Sequence, residues 1–147
     1  MDNAARTTIV GPESLSICLS IRREVFIVGQ DVPEDLEVDG LDPECTHFLC
    51  TREGRPVGTA RLRDVQGAGK VERVAVLASE RGRGLGRQLM LALHAEAMRR
   101  RLPKLKLNAQ AAVVGFYEDL GYESVGERFM EAGIEHQAMV ARPPFQV

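Results

Sequence analysis

Leu85, Leu89, Leu93 and Ala97 recur at every fourth position, while Arg87, Gln88, Glu96 and the arginines at 99–101 fall off that stripe. The spacing predicts an amphipathic helix opening near Gly84, and Pro103 stops it because proline has no backbone N–H to donate. A second apolar series, Leu15, Leu19, Val25 and Phe26, predicts a helix over residues 13–28. A third helix is expected over 111–120, with Gly121 as its C-terminal cap. Short β-type runs predict strands at 7–10, 47–52, 56–63, 70–76, 104–108, 122–128 and 134–142. Glu53-Gly54-Arg55 reads as a hairpin turn, and Gln66-Gly67-Ala68-Gly69 as the next turn. Residues 29–45 are broken by Pro33, Gly40 and Pro43 and read as loop or a short helical turn. The order β-α-ββ-β-α-β-α-ββ is that of a mixed α/β protein with a largely antiparallel start. With no repeat and no low-complexity linker, residues 1–147 are expected to form one domain.

Composition narrows the class. The 147 residues are 44% hydrophobic and 27% charged, ordinary values for a globular chain. No apolar run approaches the roughly 18 residues that span a bilayer. Residues 1–10 lack the basic region and apolar stretch of a secretory leader. A cytoplasmic protein without membrane partners is expected. Cys18, Cys45 and Cys50 cannot all pair and are read as reduced thiols. Cys45 and His47 share a strand face but Cys50 points to the other, and no fourth ligand is near, so no metal is expected. No helix start precedes a cysteine to activate it as a nucleophile. His94 flanks the stripe of the 85–97 helix and is expected to face solvent.

A net charge of −2 argues against a nucleic-acid partner, yet charge is unevenly spread. Residues 31–44 hold Asp31, Glu34, Asp35, Glu37, Asp39, Asp42 and Glu44 with no Lys or Arg, whereas residues 81–106 are strongly basic. This asymmetry suits an anionic ligand at one place and a cation at another.

The basic segment carries the clearest chemistry. The strand at 70–76 runs through a short turn into Arg81-Gly82-Arg83-Gly84-Leu85-Gly86-Arg87, which opens the best helix. The first N–H groups of a helix lack internal partners and sit at the positive end of its dipole. Glycines let a ligand approach that backbone, and three arginines add charge suited to a pyrophosphate. A nucleotide P-loop would need Gly-Lys-Ser/Thr where this chain has Gly86-Arg87-Gln88. A dinucleotide fingerprint would need glycine at Arg87 and an acid at the end of the next strand, where Asn108 stands.

Arg81-Gly82-Arg83-Gly84-Leu85-Gly86 resembles the pyrophosphate motif Gln/Arg-x-x-Gly-x-Gly/Ala of the GNAT superfamily of N-acetyltransferases. Phe116-Tyr117-Glu118-Asp119-Leu120-Gly121-Tyr122 is similar to that family's Phe-Tyr-x-x-x-Gly-Phe/Tyr segment. Together with Val74-Ala75-Val76 and Asn108 these motifs run in the family's order from Val71 to Tyr122. The resemblance implies a GNAT-like mixed, centrally splayed β-sheet flanked by helices. It also implies acetyl-CoA as acyl donor and transfer to a primary amine of a small molecule or peptide by direct attack in a ternary complex. The alternative is an acetyl-CoA-binding sensor or partner module without turnover. Family members often dimerise, so a homodimer is admitted.

The same resemblance distributes roles. Val74, Ala75 and Val76 would offer backbone groups to the pantetheine arm, with the amide of Val74 or Val76 holding the acetyl oxygen. Arg81, Gly82, Arg83, Gly84, Leu85, Gly86 and Arg87 would hold the pyrophosphate, and Asn108 and Phe116 would complete the cofactor site. Tyr117 would be the general acid towards the CoA sulfur; a phenol of pKa about 10 is a sensible donor to a thiolate whose acid lies near 8.5. Glu72, on the strand expected to face the acetyl group, is the candidate base, directly or through water.

Residues 22–50 resemble a small bacterial GNAT subgroup with the pattern Arg-x-x-Val-Phe-x-x-Glu-Gln, then Glu/Asp-x-Asp, then His. The match is Arg22 to Gln30 followed by Glu37, Asp39, Asp42 and His47, with Gly29 departing where the pattern has Glu. Residues 129–136 are similar to that subgroup's ending, which often reaches over the acceptor. Phe26, Gln30, Glu37, Asp39 and His136 are therefore the candidate acceptor-binding residues. Glu37, Asp39 and His136 sit beside apolar or Gly residues that could fold inward, whereas Glu34, Asp35 and Glu44 read as solvated loop.

Overall fold

A computed structural model describes residues 5–147; residues 1–4, part of the stretch read above for a leader, lie outside them. The strands are β1 (Ala5–Val10), β2 (Thr46–Arg52), β3 (Arg55–Val65), β4 (Ala68–Val76), β5 (Leu105–Gln110), β6 (Glu123–Ser124), β7 (Phe129–Glu131) and β8 (Ile134–Ala141). They form one sheet in the order β1-β2-β3-β4-β5-β8-β6, with β7 also on β8. Each neighbouring pair is antiparallel except β4 and β5, which run parallel. Three hairpins turn on two residues of positive φ: Glu53-Gly54, Gln66-Gly67 and Ala132-Gly133. That backbone matches the right-handed twist of the strands it joins, so the turns are shorter than the three- and four-residue turns expected from composition.

Helix α1 (Leu15–Arg22) passes into a wider π-helical stretch, Arg23–Val28, which together make the single helix predicted over 13–28. After the short α2 (Glu34–Glu37), α3 (Leu85–Arg99) is the long helix read from the leucine stripe, and α4 (Val114–Asp119) follows β5. The sheet separates two apolar layers. On one face Leu85, Leu89, Leu93 and Ala97 of α3 pack on Leu62, Val71 and Leu107; on the other, Cys18, Ile21 and Val25 pack on Leu49 and Ala75. Side-chain alternation along each strand supplies both layers.

Two further expectations change. His94 is fully buried: its Nδ1 lies 2.6 Å from the carbonyl of Gln146 and its Nε2 2.8 Å from the Tyr122 hydroxyl. The chain end folds back over α3, with Phe145 against the His94 ring, so the helix is covered well beyond its leucine stripe. Burial pushes the imidazole below its usual pKa, leaving it neutral, with Nδ1–H donating to the carbonyl and Nε2 accepting from the phenol. The strand expected at 122–128 shrinks to Glu123–Ser124, and β7, formed from residues 129–131, replaces its remainder.

At the closed end of the β4–β5 contact, Gly69 pairs with Leu105. A Cβ there would meet Leu105 Cδ2 at 2.7 Å and Leu102 Cδ1 at 2.8 Å. Gly69→Ala is expected to destabilise the protein by about 1–3 kcal/mol through overpacking, measured as a lowered urea midpoint with an unchanged m-value.

Candidate active site

The parallel ladder between β4 and β5 lasts only from Gly69–Leu105 to Val71–Leu107. Beyond it the strands part, and a bulge helps drive them. From Glu72 to Ala75, β4 uses one residue more than its partner stretch Thr59 to Arg61 on β3, and Arg73 takes a φ of +57°. A bulge of this kind bends its strand and re-aims the following residues. Arg73 is pinned there: its guanidinium donates to the carbonyls of Leu36 and Glu37 and pairs with the carboxylates of Glu37 (3.0 Å) and Asp39 (3.3 Å).

The parted strands frame a cavity of about 750 Å³. Val74, Val76 and Phe116 belong to the apolar layer of α3 and α4, whereas Val25, Phe26 and Ala75 belong to the layer of α1. Because residues from both layers line it, the cavity is a slot through the sheet, not a pit on one face. Arg81, Gly86, Phe116 and Tyr117 line it from the α3–α4 side. Phe26, Gln30, Val32 and Leu36 line it from the α1–α2 side, with Asn108, Gln110 and His136 on adjoining strands.

The glycine loop meets the slot at the start of α3. Gly82 and Gly84 have φ of +83° and +77°, and Gly84 is the N-cap, without a side-chain cap on the helix. The first intrahelical bond closes from Gln88 N–H to the Gly84 carbonyl, so the N–H groups ahead of it lack helical partners. No atom lies within 4 Å of a Cβ built on Gly84, so that backbone is open to a ligand. Arg81 leans back on the Val76 carbonyl (3.2 Å), which ties the loop to the end of β4. Gly82, Arg83, Gly84 and Arg87 stand exposed outside the slot, and the Leu85 side chain turns into the core.

Tyr117 lies in the slot wall, 8% exposed, edge-on to Phe116 and Tyr122. Burial raises its pKa well above the usual phenol value, so the hydroxyl keeps its proton and is a weaker acid than the unperturbed phenol expected from sequence.

Glu72 also lines the slot, but its carboxylate accepts from Arg61 (2.7 Å) and from Arg63 Nε and Nη2 (3.0 and 3.1 Å). These guanidinium contacts outweigh the effect of burial and hold Glu72 below the usual carboxylate range. A carboxylate so held is ionised but a weak proton acceptor, which weighs against Glu72 as the base expected from sequence. Glu37 and Asp39 do fold inward, yet towards internal arginines. Glu37 accepts from Arg22 (2.9 Å), Asp39 from Arg61 (2.8 Å), and Asp42 joins Arg22 to Arg61. The acids expected to attract an amine are therefore already paired with arginines; Arg61 was open as a partner for Glu72 from the sequence, but its bonds to Asp39 and Asp42, and those of Arg22, were not.

Two polar devices remain on the α1–α2 side. Gln30 and Gln110 exchange a pair of amide hydrogen bonds of 3.3 and 2.9 Å across the slot mouth. Gln110 was missed in sequence, although it follows Asn108 by two and so shares its strand face. His136 is 7% exposed, its Nδ1 is 2.7 Å from the Ile134 carbonyl, and Phe129 stacks on its ring. Glu131 Oε2 lies 3.9 Å from Nε2. Among the described residues no His, Cys, Asp and Glu side chains group as metal ligands, and no helix is long and apolar enough to cross a membrane.

Known proteins share this architecture. The Acetyltransferase (GNAT) domain family matches residues 12–143. A Bacillus subtilis protein named as the uncharacterised N-acetyltransferase YjcF is 39% identical over 129 residues, covering 87% of this chain and 92% of its own. The crystal structure of an acyl-CoA N-acyltransferase from Pseudomonas aeruginosa is 32% identical with a TM-score of 0.83, covering 93% of this chain and 99% of that one. A GNAT acetyltransferase from Elizabethkingia anophelis, solved with acetyl-CoA bound, is 14% identical with a TM-score of 0.76, covers 95% and 99% of the two chains, and shares the fold. With its sheet splayed between β4 and β5 and an open glycine loop at the head of α3, the chain belongs to the GNAT acetyltransferase family.

Proposed function

We propose that this protein transfers the acetyl group of acetyl-CoA to a primary amine of a small molecule or peptide, by direct attack while both substrates are bound. The slot between β4 and β5 carries this reading, because it joins an uncapped helix N-terminus, a protonated buried phenol and a far side lined by Phe26, Gln30 and His136. The residues fit the donor: unpaired N–H groups and Arg81, Arg83 and Arg87 suit a pyrophosphate, and the unpaired edge of β4 suits an amide-bearing arm. Bound there, acetyl-CoA supplies an activated thioester. The Val74 or Val76 N–H donates to the acetyl oxygen as negative charge develops on it, and Asn108 and Phe116 complete the wall for the arm. Tyr117 O–H gives its proton to the departing sulfur. Phe26, Gln30 and His136 contact the acceptor, while Glu72, Glu37 and Asp39 hold the arginines that shape β4. The three free thiols suit a reducing, cytoplasmic setting.

Thermal unfolding with acetyl-CoA, and with ATP and NAD as controls, tests the donor site. At 100 times Kd the folded state gains about 2.7 kcal/mol, a midpoint rise of several degrees. A rise with ATP or NAD instead would reject the reading. Thiol release across a panel of primary amines then tests transfer. Tyr117→Phe is expected to lower kcat about 100-fold with the acetyl-CoA shift retained; an unchanged kcat would remove the acid role.

A further inference from the structure

A primary amine is largely protonated near neutral pH, with an ordinary pKa of about 10.4 for a lysine-like group. It cannot attack until a proton leaves. The slot offers few places for that proton. Glu37, Asp39 and Glu72 accept hydrogen bonds from Arg22, Arg61, Arg63 and Arg73, Glu131 is half exposed at the rim beside His136, and Tyr117 already holds its own proton. Lys70, Arg73 and Arg81 are cations.

His136 differs from all of these. Its Nδ1 is bonded to the Ile134 carbonyl, which can only accept, so the proton of the neutral ring sits on Nδ1 and Nε2 is a bare lone pair. Among the described residues, Nε2 has no hydrogen-bond partner. Phe129, opposite His136 in the β7–β8 ladder, stacks on the ring with planes 23° apart and fixes its plane. Gln110, opposite it in the β5–β8 ladder, places it on the strand face that carries Asn108, on the acceptor side of the slot.

The geometry points to His136 as the general base: Nε2 takes a proton from the acceptor ammonium, directly or through one water, with the Ile134 carbonyl fixing the tautomer. This rests on the acetyl-transfer reading. The ammonium N–H bond breaks as Nε2–H forms, and the freed lone pair attacks the acetyl carbon as the C–S bond breaks. The amine loses its second proton as the C–N bond is completed, which makes good the one Tyr117 gives to sulfur. His136 then returns the first proton to water, so one proton is released per turnover of a protonated amine.

The charged surroundings of the imidazole suit that cycle. From β7, Glu131 lies 3.9 Å from Nε2, too long for a hydrogen bond, and is half exposed. From β5 comes the neutral Gln110, and from β8 itself Glu135, which is exposed and pairs with Arg128. Across the slot stand Glu37, Asp39, Lys70, Glu72, Arg73, Tyr117 and Arg81, of which the three acids are matched by arginines.

The test is the pH dependence of kcat/KM, at saturating acetyl-CoA, for the parent, His136→Gln and His136→Ala. The amine is the best of a panel holding phenylethylamine, a lysine peptide, amino-acid amides and a polyamine. The parent is expected to show an acidic limb that levels off. Both variants should lose about 100-fold in kcat/KM, and the levelling should disappear, leaving a rate that climbs with the amine's own deprotonation. Added imidazole should restore part of the rate to His136→Ala but not to His136→Gln, whose amide fills the site. An unchanged acetyl-CoA thermal shift shows that the variants are folded, and His136→Gln, which keeps an N–H donor, carries the test if the alanine variant does not fold. Parent-like rates and limb in His136→Gln overturn the base while sparing acetyl transfer. A parent stabilised by acetyl-CoA but inactive towards every panel amine overturns both.

Discussion

Gly84→Glu is expected to raise the Kd for acetyl-CoA about 100-fold or more while leaving a folded protein. The left-handed φ of +77° costs a non-glycine residue about 1–2 kcal/mol, but nothing lies within 4 Å of the new Cβ, so no clash is added. The carboxylate lands at the head of α3, where it can accept from the unpaired N–H groups and occupy the anion's place itself. Two unit charges about 5 Å apart at an effective dielectric near 20 repel by about 3 kcal/mol, which is more than a hundredfold in affinity. Gly84→Ala carries the same backbone strain without the charge. Calorimetric titration with acetyl-CoA should find its affinity within about tenfold of the parent's. Equal affinity in the glutamate variant would place the anion site elsewhere.

Arg61→Met should bring the largest loss of stability. Arg61 is fully buried and donates to Asp39, Asp42 and Glu72 at 2.7–3.0 Å, and its Nε has no partner of its own. Methionine fills much of the space but leaves three carboxylates short of a cation. Removing one partner of a buried ion pair costs about 3–5 kcal/mol, and urea unfolding should read a loss of that size. The pH dependence has a definite sign. Asp39, Asp42 and Glu72 are held below their usual pKa by the guanidiniums. Their contribution is therefore present above roughly pH 4, the unfolded value, and is lost as pH falls through the lower folded values. The gap between parent and variant should narrow below pH 4. A gap independent of pH would mean that the cost of Arg61→Met is packing alone.

Local signals were the legible ones. The leucine stripe and Pro103 marked α3 almost to its ends, because both act within a few residues. The glycine loop was readable for the same reason, since its purpose depends on the helix that follows it. The wedge was not legible from strand patterns: it opens where the β4–β5 ladder stops, and that depends on a bulge at Arg73 held by carbonyls of residues 36 and 37. The resemblance supplied it instead. Glu37, Asp39 and Glu72 were read by type as binding or catalytic acids. Pairing with Arg61 was an open alternative for Glu72 alone; the Arg22–Glu37 and Arg61–Asp39 partners stand 15 and 22 residues apart in sequence, and no spacing rule links them. His94 was misjudged because the chain end that covers it is more than 50 residues downstream.

A slot that pierces a sheet has two doors. In this protein one faces the head of α3 and the other the α1–α2 layer, where Gln30 and Gln110 pair their amides. On the acetyl-transfer reading proposed above, donor and acceptor would approach from opposite faces of the sheet. The Gln30–Gln110 pair is neutral and its two bonds are worth only about 1–3 kcal/mol, so a ligand arriving from that side can part it. The sheet acts as a partition, and the slot is where its two sides meet.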